Sequence, residues 1–596
     1  MSDIISRLAR LRGALSQHKL SAFIVMSADP HLSEYLPPRW QGREWISGFT
    51  GSVGTVVVTQ SEAWLWVDSR YWEQAEAQLA GSGIGLMRAG QADVPEPGDW
   101  LARSLPRGAE VGVDGMVLAV SAGRRLEQSL TPAGLVLRTE QDLLDEIWDD
   151  RPGLPQAPVR AHDPAFAPES RVQKLDQVRA AMRQHDTQIH IISALDDIAW
   201  LTNLRGQDVN YNPVFLAHVI LETDTARLFV GAGKLDDALA AQLEREGYTV
   251  CDYADFAAAL GEIGSAQRVL VDPARMTRGA LAALDSGVTQ VESINPSTLL
   301  KACKSAGELA HVRHAMEQDG AALCQFFSWL ERNIDQPGLT ELTVDQELTA
   351  RRRARPGFVS LSFPTIAGFN ANGAMPHYRA TVESHSPITG DGLLLIDSGA
   401  QYLGGTTDIT RVIPIGQPNE AQKRDFTLVL KGMINLSMAQ FPDGLPAPAL
   451  DALARAPVWA GGADYGHGTG HGVGYFLNVH EGPQVISYRA QPLPHTAMRA
   501  GMITSNEPGL YRAGQWGVRI ENLVANVPAE SSPLGEFLRF ETLTLCPIDT
   551  RCVVLALMRP DEIDWLNAYH AEVQSRLAPL LEGDDLLWLT ERCAPI

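Results

Sequence analysis

Three short strings recur in one order along the first half of the chain, and this repetition constrains the fold more than any other feature of the sequence. MSADPHLSEYL around Ser27 aligns with ISALDDIAWLTNL around Ser193, AWLWVD (63–68) with ARLFVG (226–231), and VGVD (111–114) with VLVD (269–272). The offsets of 166, 163 and 158 residues drift slowly, as a diverged duplication with small deletions would. Within each copy, apolar β-rich runs alternate with stretches of helical period, the pattern of an α/β domain. The 596 residues also exceed the roughly 250–300 that one core supports, so several domains are expected.

Two boundaries follow. The Pro-rich stretch from Arg151 to Pro168 has neither helical nor strand period and reads as a linker. Near Lys301 to Leu309 the text of strands and turns gives way to an amphipathic helix over 306–333, with Leu309, Val312, Ala315 and Met316 at its apolar positions. The expected division is 1–152, 153–304 and 305–596. A formal net charge of -22 argues against a nucleic-acid partner, which needs a basic face. No apolar run approaches the roughly 18 residues of a membrane span, and the N-terminal stretch lacks the continuous apolar region of a signal peptide. Six scattered cysteines without a CxxC pair fit a reduced, cytoplasmic protein rather than a disulfide framework.

The chemistry-bearing residues gather after Lys301. LLLIDSGAQYLGGTTDITRVIPI has an apolar strand ending in Asp397, a Gly-rich turn and a second strand carrying Asp408, so a hairpin can set the two carboxylates side by side. YGHGTGHGVGYFLNVHEGP places His467, His471 and His480 among glycines, which allow close backbone approach to a ligand. ITSNEPGLYRAGQWGVRIENLVANV puts Glu507 and Glu521 on two strands flanking a turn. Arg519 and Glu521 share one face of the second strand, so Arg519 can orient a ligating carboxylate. Carboxylates with imidazole and no cysteine suit a pair of Mn²⁺ or similar ions and disfavour a thiolate zinc site.

Asp397, Asp408, His471, Glu507 and Glu521 fall in the order and context of the five metal ligands of the pita-bread metallopeptidases. HGTGHGVGYFLNVHEGP and NEPGLYRAGQWGVRIEN resemble aminopeptidase P, in its long, three-domain cytosolic form. DDIAWLTNLRG (196–206) and ISGFTGSVG with WVDSRYWEQA (46–75) extend that resemblance over nearly the whole chain. The resemblance implies an α/β architecture of two creatinase-N-terminal-like domains followed by a pita-bread catalytic domain. It implies a homodimer and peptide substrates with proline at the second position, cleaved by a hydroxide bridging two divalent ions, most simply Mn²⁺. By resemblance Asp397 chelates one ion, Asp408 and Glu521 bridge both, and His471 and Glu507 complete the other, with Glu507 also the general base. His377, in GAMPHYR, and His480 match positions that contact substrate and stabilise the oxyanion, and His467 matches one on the proline side. Arg70, in DSRYW, matches a position that reaches the substrate. The alternatives are a prolidase with the same ligands and, from another class, a non-catalytic pita-bread module that binds peptide or protein.

Overall fold

The computed structural model describes residues 2–596, which form two compact units: residues up to His162 with Glu169–Thr298, and Asp163–Pro168 with Leu299–Ile596. The first unit holds both repeats. In the first repeat the strands lie side by side in the order Gly85–Arg88, Ala63–Val67, Thr55–Thr59, Ala22–Met26, Glu110–Val113, Val136–Arg138. In the second repeat the order is Tyr248–Asp252, Ala226–Val230, Ala217–Glu222, Ile189–Ile192, Arg268–Val271, Thr289–Glu292. Matching neighbours also match in sense. Ala22–Met26 and Ile189–Ile192 each pair antiparallel on one side and parallel on the other. The sequence repeat is therefore a structural repeat.

The β-branched run TVVVT shows why each sheet needs cover on both faces. Val56 and Val58 pack with Leu8, Leu11 and Leu15 of the helix Ser2–Gln17, whereas Val57 packs with Leu101 and Leu130 on the opposite face. Full burial of such a side chain contributes roughly 1.5–3 kcal/mol.

The repeats meet in a symmetric seam. Val120 N–H donates to Met276 O at 2.9 Å and Arg278 N–H to Leu118 O at 2.8 Å. Likewise Ser121 N–H donates to Pro273 O and Gly279 N–H to Gly115 O, both at 2.8 Å. These partners are equivalent positions at the 158-residue offset, so each copy gives the other the bonds it receives. The Pro-rich stretch is less featureless than its sequence suggests. Arg160–Ala161 pairs with Leu204–Arg205, and Pro164–Phe166 makes a single turn of 3₁₀ helix.

The second unit is framed by the helix Ala306–Asn333. Ser305 caps it reciprocally with Glu308, satisfying donors that a helix start leaves unpaired. Its core joins Phe326, Phe327 and Leu330 of that helix to Leu394, Ile396, Val412, Phe426, Met433, Val518 and Ile520. One sheet contains Ile366–Phe369, Gly392–Ser398 and Ile409–Ile415; every residue of the last two strands is buried. A second sheet runs Gln440–Pro442, Phe537–Thr542, Asn522–Pro528, Ile503–Asn506, Gly470–Gly472, Glu481–Ile486, and the hairpin Gly509–Arg512 with Trp516–Arg519 lies apart from it. Among the described residues no helix is long and apolar enough to cross a membrane.

Candidate metal centre

Strand ends deliver the candidate carboxylates, while His471 is the middle residue of the short strand Gly470–Gly472. Asp397 is the penultimate residue of Gly392–Ser398, but Asp408 precedes Ile409–Ile415 by one residue, Glu507 follows Ile503–Asn506, and Glu521 falls between Trp516–Arg519 and Asn522–Pro528. The expectation that Asp408, Glu507 and Glu521 sit within strands is corrected: Asp408 and Glu507 fall one residue outside, and Glu521 falls two residues past the strand that carries Arg519. Pro508 explains the case of Glu507, since proline has no N–H to continue a ladder.

Backbone bonds stitch these ends together. Glu521 N–H donates to Thr410 O at 3.1 Å, Glu507 N–H to Thr469 O at 2.8 Å, and His471 N–H to Ser505 Oγ at 3.0 Å. Thr410 is the register partner of Asp397, and its hydroxyl donates to Glu521 Oε2 at 2.7 Å. Donor atoms of Asp408, His471 and Glu521 all lie within 4.8 Å of one another. His471 Nε2 is 3.6 Å from Asp408 Oδ2 and 3.5 Å from Glu507 Oε1. Its Nδ1 lies 2.9 Å from Gly472 O, which can only accept, so Nδ1 carries the proton and Nε2 presents its lone pair to the carboxylates.

Crowding of negative charge is the site's main electrostatic fact. Burial, then Glu521, Asp397 and Glu507, push the Asp408 carboxyl well above the usual carboxylate range. Burial, then Glu507 and Asp397, do the same to Glu521. Glu507 is raised to about 7, chiefly by burial, with Arg519 opposing the shift and Asp397 adding to it. Asp397 Oδ1 is buried without a hydrogen-bond partner, while Oδ2 accepts from Arg519 Nη2 at 2.6 Å. Buried carboxylates so arranged must be neutralised, by protons or by cations. Four carboxylates and one imidazole, with one buried carboxylate oxygen unsatisfied, fit a pair of divalent ions of hard to borderline character.

Arg519 links this cluster outward. It also donates to Thr410 Oγ1 at 3.2 Å, to Tyr511 OH at 2.6 Å and to Pro376 O at 3.2 Å, the residue before His377. His467 Nε2 lies 2.8 Å from the same Tyr511 oxygen. The His480 ring stands perpendicular to that of His471, with centroids 4.4 Å apart. His467, His471 and His480 are thus joined to the carboxylates, and His377 is tied to them through its neighbour. Arg70 belongs to the first unit, where it is bidentate to Asp68 at 2.8 and 2.7 Å. Sequence reasoning misses Thr410 and Tyr511. Alternation offers a signal for Thr410, two residues from Asp408, but the break at Pro508 separates Glu507 from the strand that carries Tyr511.

These donors on this scaffold define a metallohydrolase. Residues 310–526 match metallopeptidase family M24 and 536–596 the C-terminal region of that family, while 7–142 and 150–308 each match a creatinase/prolidase N-terminal domain. Xaa-Pro aminopeptidase 1 of Dictyostelium discoideum is 37% identical over 100% of this chain and 97% of that protein. The crystal structure of X-prolyl aminopeptidase from Caenorhabditis elegans, described as a cytosolic enzyme with a di-nuclear active site, is similar with a TM-score of 0.95 and 33% identity over 100% of both chains. Xaa-Pro dipeptidase from Bacillus anthracis shares the fold at a TM-score of 0.51 and 24% identity, covering 99% of that chain and 64% of this one. The chain belongs to metallopeptidase family M24, with paired creatinase-like domains before the pita-bread domain.

Proposed function

We propose that this protein is an Xaa-Pro aminopeptidase, hydrolysing the bond between any N-terminal residue and a penultimate proline. The observation that carries the reading is its end-to-end likeness to an enzyme of that name, 37% identical over 100% of this chain. The buried cluster of candidate ligands supports two metal ions, as does the di-nuclear site described for the C. elegans enzyme. Asp397, Asp408, His471, Glu507 and Glu521 are the residues that would hold the two ions. Mn²⁺ suits this oxygen-rich set. When bound, the ions supply Lewis acidity and lower the pKa of coordinated water.

The protein's own groups then divide the work. Glu507 is assigned as the general base, taking a proton on its carboxylate and returning it to the departing proline nitrogen. His480 and His377 are assigned to the substrate carbonyl, where a donor strengthens as the oxyanion forms. Arg519 fixes Asp397 and, through Tyr511, the ring of His467 on the proline side. Arg70 is assigned to substrate binding on the resemblance of its DSRYW context. Proline has no N–H and a fixed φ, so a site built on its ring admits what general peptidases reject. The reading also takes in a homodimer, a cytoplasmic location and three domains over 1–152, 153–304 and 305–596.

Comparing an Xaa-Pro-Yaa tripeptide with an Xaa-Pro dipeptide tests the reading. Release of the N-terminal residue from the tripeptide is expected. Exclusive dipeptide cleavage would make the protein a prolidase, and binding without cleavage in the presence of metal would make it a non-catalytic module.

A further inference from the structure

A buried acid outside the metal centre organises the segment that carries His377. Glu341 is the first residue of the helix Glu341–Arg353 and its side chain is 0% exposed. Every hydrogen bond recorded to its carboxylate comes from the stretch 369–386. Phe369 N–H and Asn372 Nδ2 donate to Oε1 at 2.7 and 3.0 Å; Asn372 Nδ2, Tyr378 OH and Ser386 N–H reach Oε2 at 3.0, 2.8 and 2.7 Å. Glu341 N–H in turn donates to Ser386 O at 3.2 Å.

Other side-chain bonds add to this hub: Tyr378 OH also reaches Ser384 O at 3.2 Å, Asn372 Nδ2 reaches Ser386 Oγ at 2.9 Å, and Asn370 bonds Asp391 O and Leu393 N–H at 3.2 and 3.1 Å. Thr381, Val382, Glu383, Ser384 and His385 are exposed, Val382 at 78%. One carboxylate therefore draws both ends of the loop and Tyr378, next to His377, onto one point. On the other side the loop rests on backbone: a Cβ at Gly517 would lie 1.8 Å from Gly373 O, so Gly517 lets the strand that bears Arg519 touch the loop directly.

We propose that Glu341 is a positioning residue that sets the conformation of residues 370–386 and thereby holds His377 in register with the metal centre. This rests on the reading of His377 as a group that meets the substrate. The chemistry of the hub is acceptor-only: its partners are N–H and O–H groups, and a carboxylate offers enough lone pairs for all of them. A glutamine of the same shape turns an NH₂ toward donors on one side, leaving buried N–H groups without partners.

The test is a double-mutant cycle of Glu341→Gln with His377→Ala in the metal-loaded, full-length protein, read on a pre-proline tripeptide. Glu341→Gln is expected to lower kcat between about 10- and 100-fold with KM changed less than about 3-fold, the signature of an interaction made in the transition state. In the His377→Ala background the further loss should fall below about 3-fold. Fully multiplicative losses, or wild-type kcat in Glu341→Gln, would overturn the proposal. Should Glu341→Gln fail to fold, Tyr378→Phe removes the hydroxyl that donates to Glu341 and must show the same non-additivity with His377→Ala. An inactive wild-type protein would defeat the reading of function instead. Hydrogen exchange then decides the inference: faster exchange over 370–386 in Glu341→Gln or Tyr378→Phe supports the hub, and unchanged protection refutes it.

Discussion

Arg519→Met separates the two tasks that the structure gives to Arg519, neutralising the carboxylates and aiming them. Arg519 is buried and donates to Asp397 Oδ2 at 2.6 Å, Tyr511 OH at 2.6 Å, Thr410 Oγ1 at 3.2 Å and Pro376 O at 3.2 Å. Burial opposes its charge, but Tyr511, Asp397, Glu507 and Glu521 outweigh burial and hold the guanidinium ionised. Methionine keeps much of the apolar stem and removes the charge. The bond to Asp397 is charge-assisted and contributes about 1.5–3 kcal/mol. Stranding a buried carboxylate raises the expected cost to about 3–5 kcal/mol in the metal-free protein. Bound divalent cations take over the neutralising role, so the deficit should shrink on metal addition. Activity should stay low, by about 10–100-fold, because Asp397 is no longer aimed.

Arg519→Lys completes the comparison. It keeps the charge but not the planar fork, so stability should recover more than activity does. Denaturant unfolding with and without chelator gives the first quantity, and kcat/KM on a pre-proline tripeptide the second. A metal-free Arg519→Met protein destabilised by less than about 1 kcal/mol, with wild-type activity after metal addition, would refute the reasoning.

Three further outcomes are expected. Glu507 is raised to about 7 by burial, against Arg519, so its metal-free folded form holds a proton that the unfolded chain releases near pH 4.5. Stability of the metal-free protein should therefore fall as pH rises between those values, while metal affinity rises because protons no longer compete. Thermal midpoints with and without chelator at pH 5 to 8 should diverge with increasing pH, and a constant gap would contradict this. Gly517→Ala must displace the backbone at Gly373, since its Cβ would lie 1.8 Å from that carbonyl oxygen. Its kcat should drop at least about 10-fold with metal content unchanged, as metal analysis alongside kinetics will report. In the seam, Gly279→Val meets Met116 Sδ at 2.5 Å and backbone of Gly115 at 3.0 Å, and should destabilise the first unit by about 1–3 kcal/mol in a thermal melt.

The sequence carries the candidate ligands because each lies in a short string with few alternatives: Asp397 at the end of LLLID, His471 between glycines, Glu507 before Pro508. It misplaces Asp408 and Glu507 by one residue and Glu521 by two because a strand's last hydrogen bond depends on its neighbour, not on its own residue types. The helix from Ala306 is legible to the residue since Ser305 and Glu308 form a local capping box. The repeat is legible through two strands and the segment that follows a third, whereas Val136–Arg138 and Thr289–Glu292 at the sheet edges show no common string. Thr410 with Glu521, and Glu341 with Ser386, are 111 and 45 residues apart in sequence. Nothing local to either residue announces such a partner, and only the closed fold brings them together.

Metal removal and replacement tests the central claim most directly. The protein is stripped with chelator, titrated with Mn²⁺ while metal content and tripeptide cleavage are followed together, and the same is done for Asp408→Ala. Cleavage is expected to vanish with the metal and to return as two ions bind per chain, with Asp408→Ala recovering neither the second ion nor the activity. Full cleavage by the metal-free protein, or wild-type activity and stoichiometry in Asp408→Ala, would contradict a dinuclear centre built on these residues.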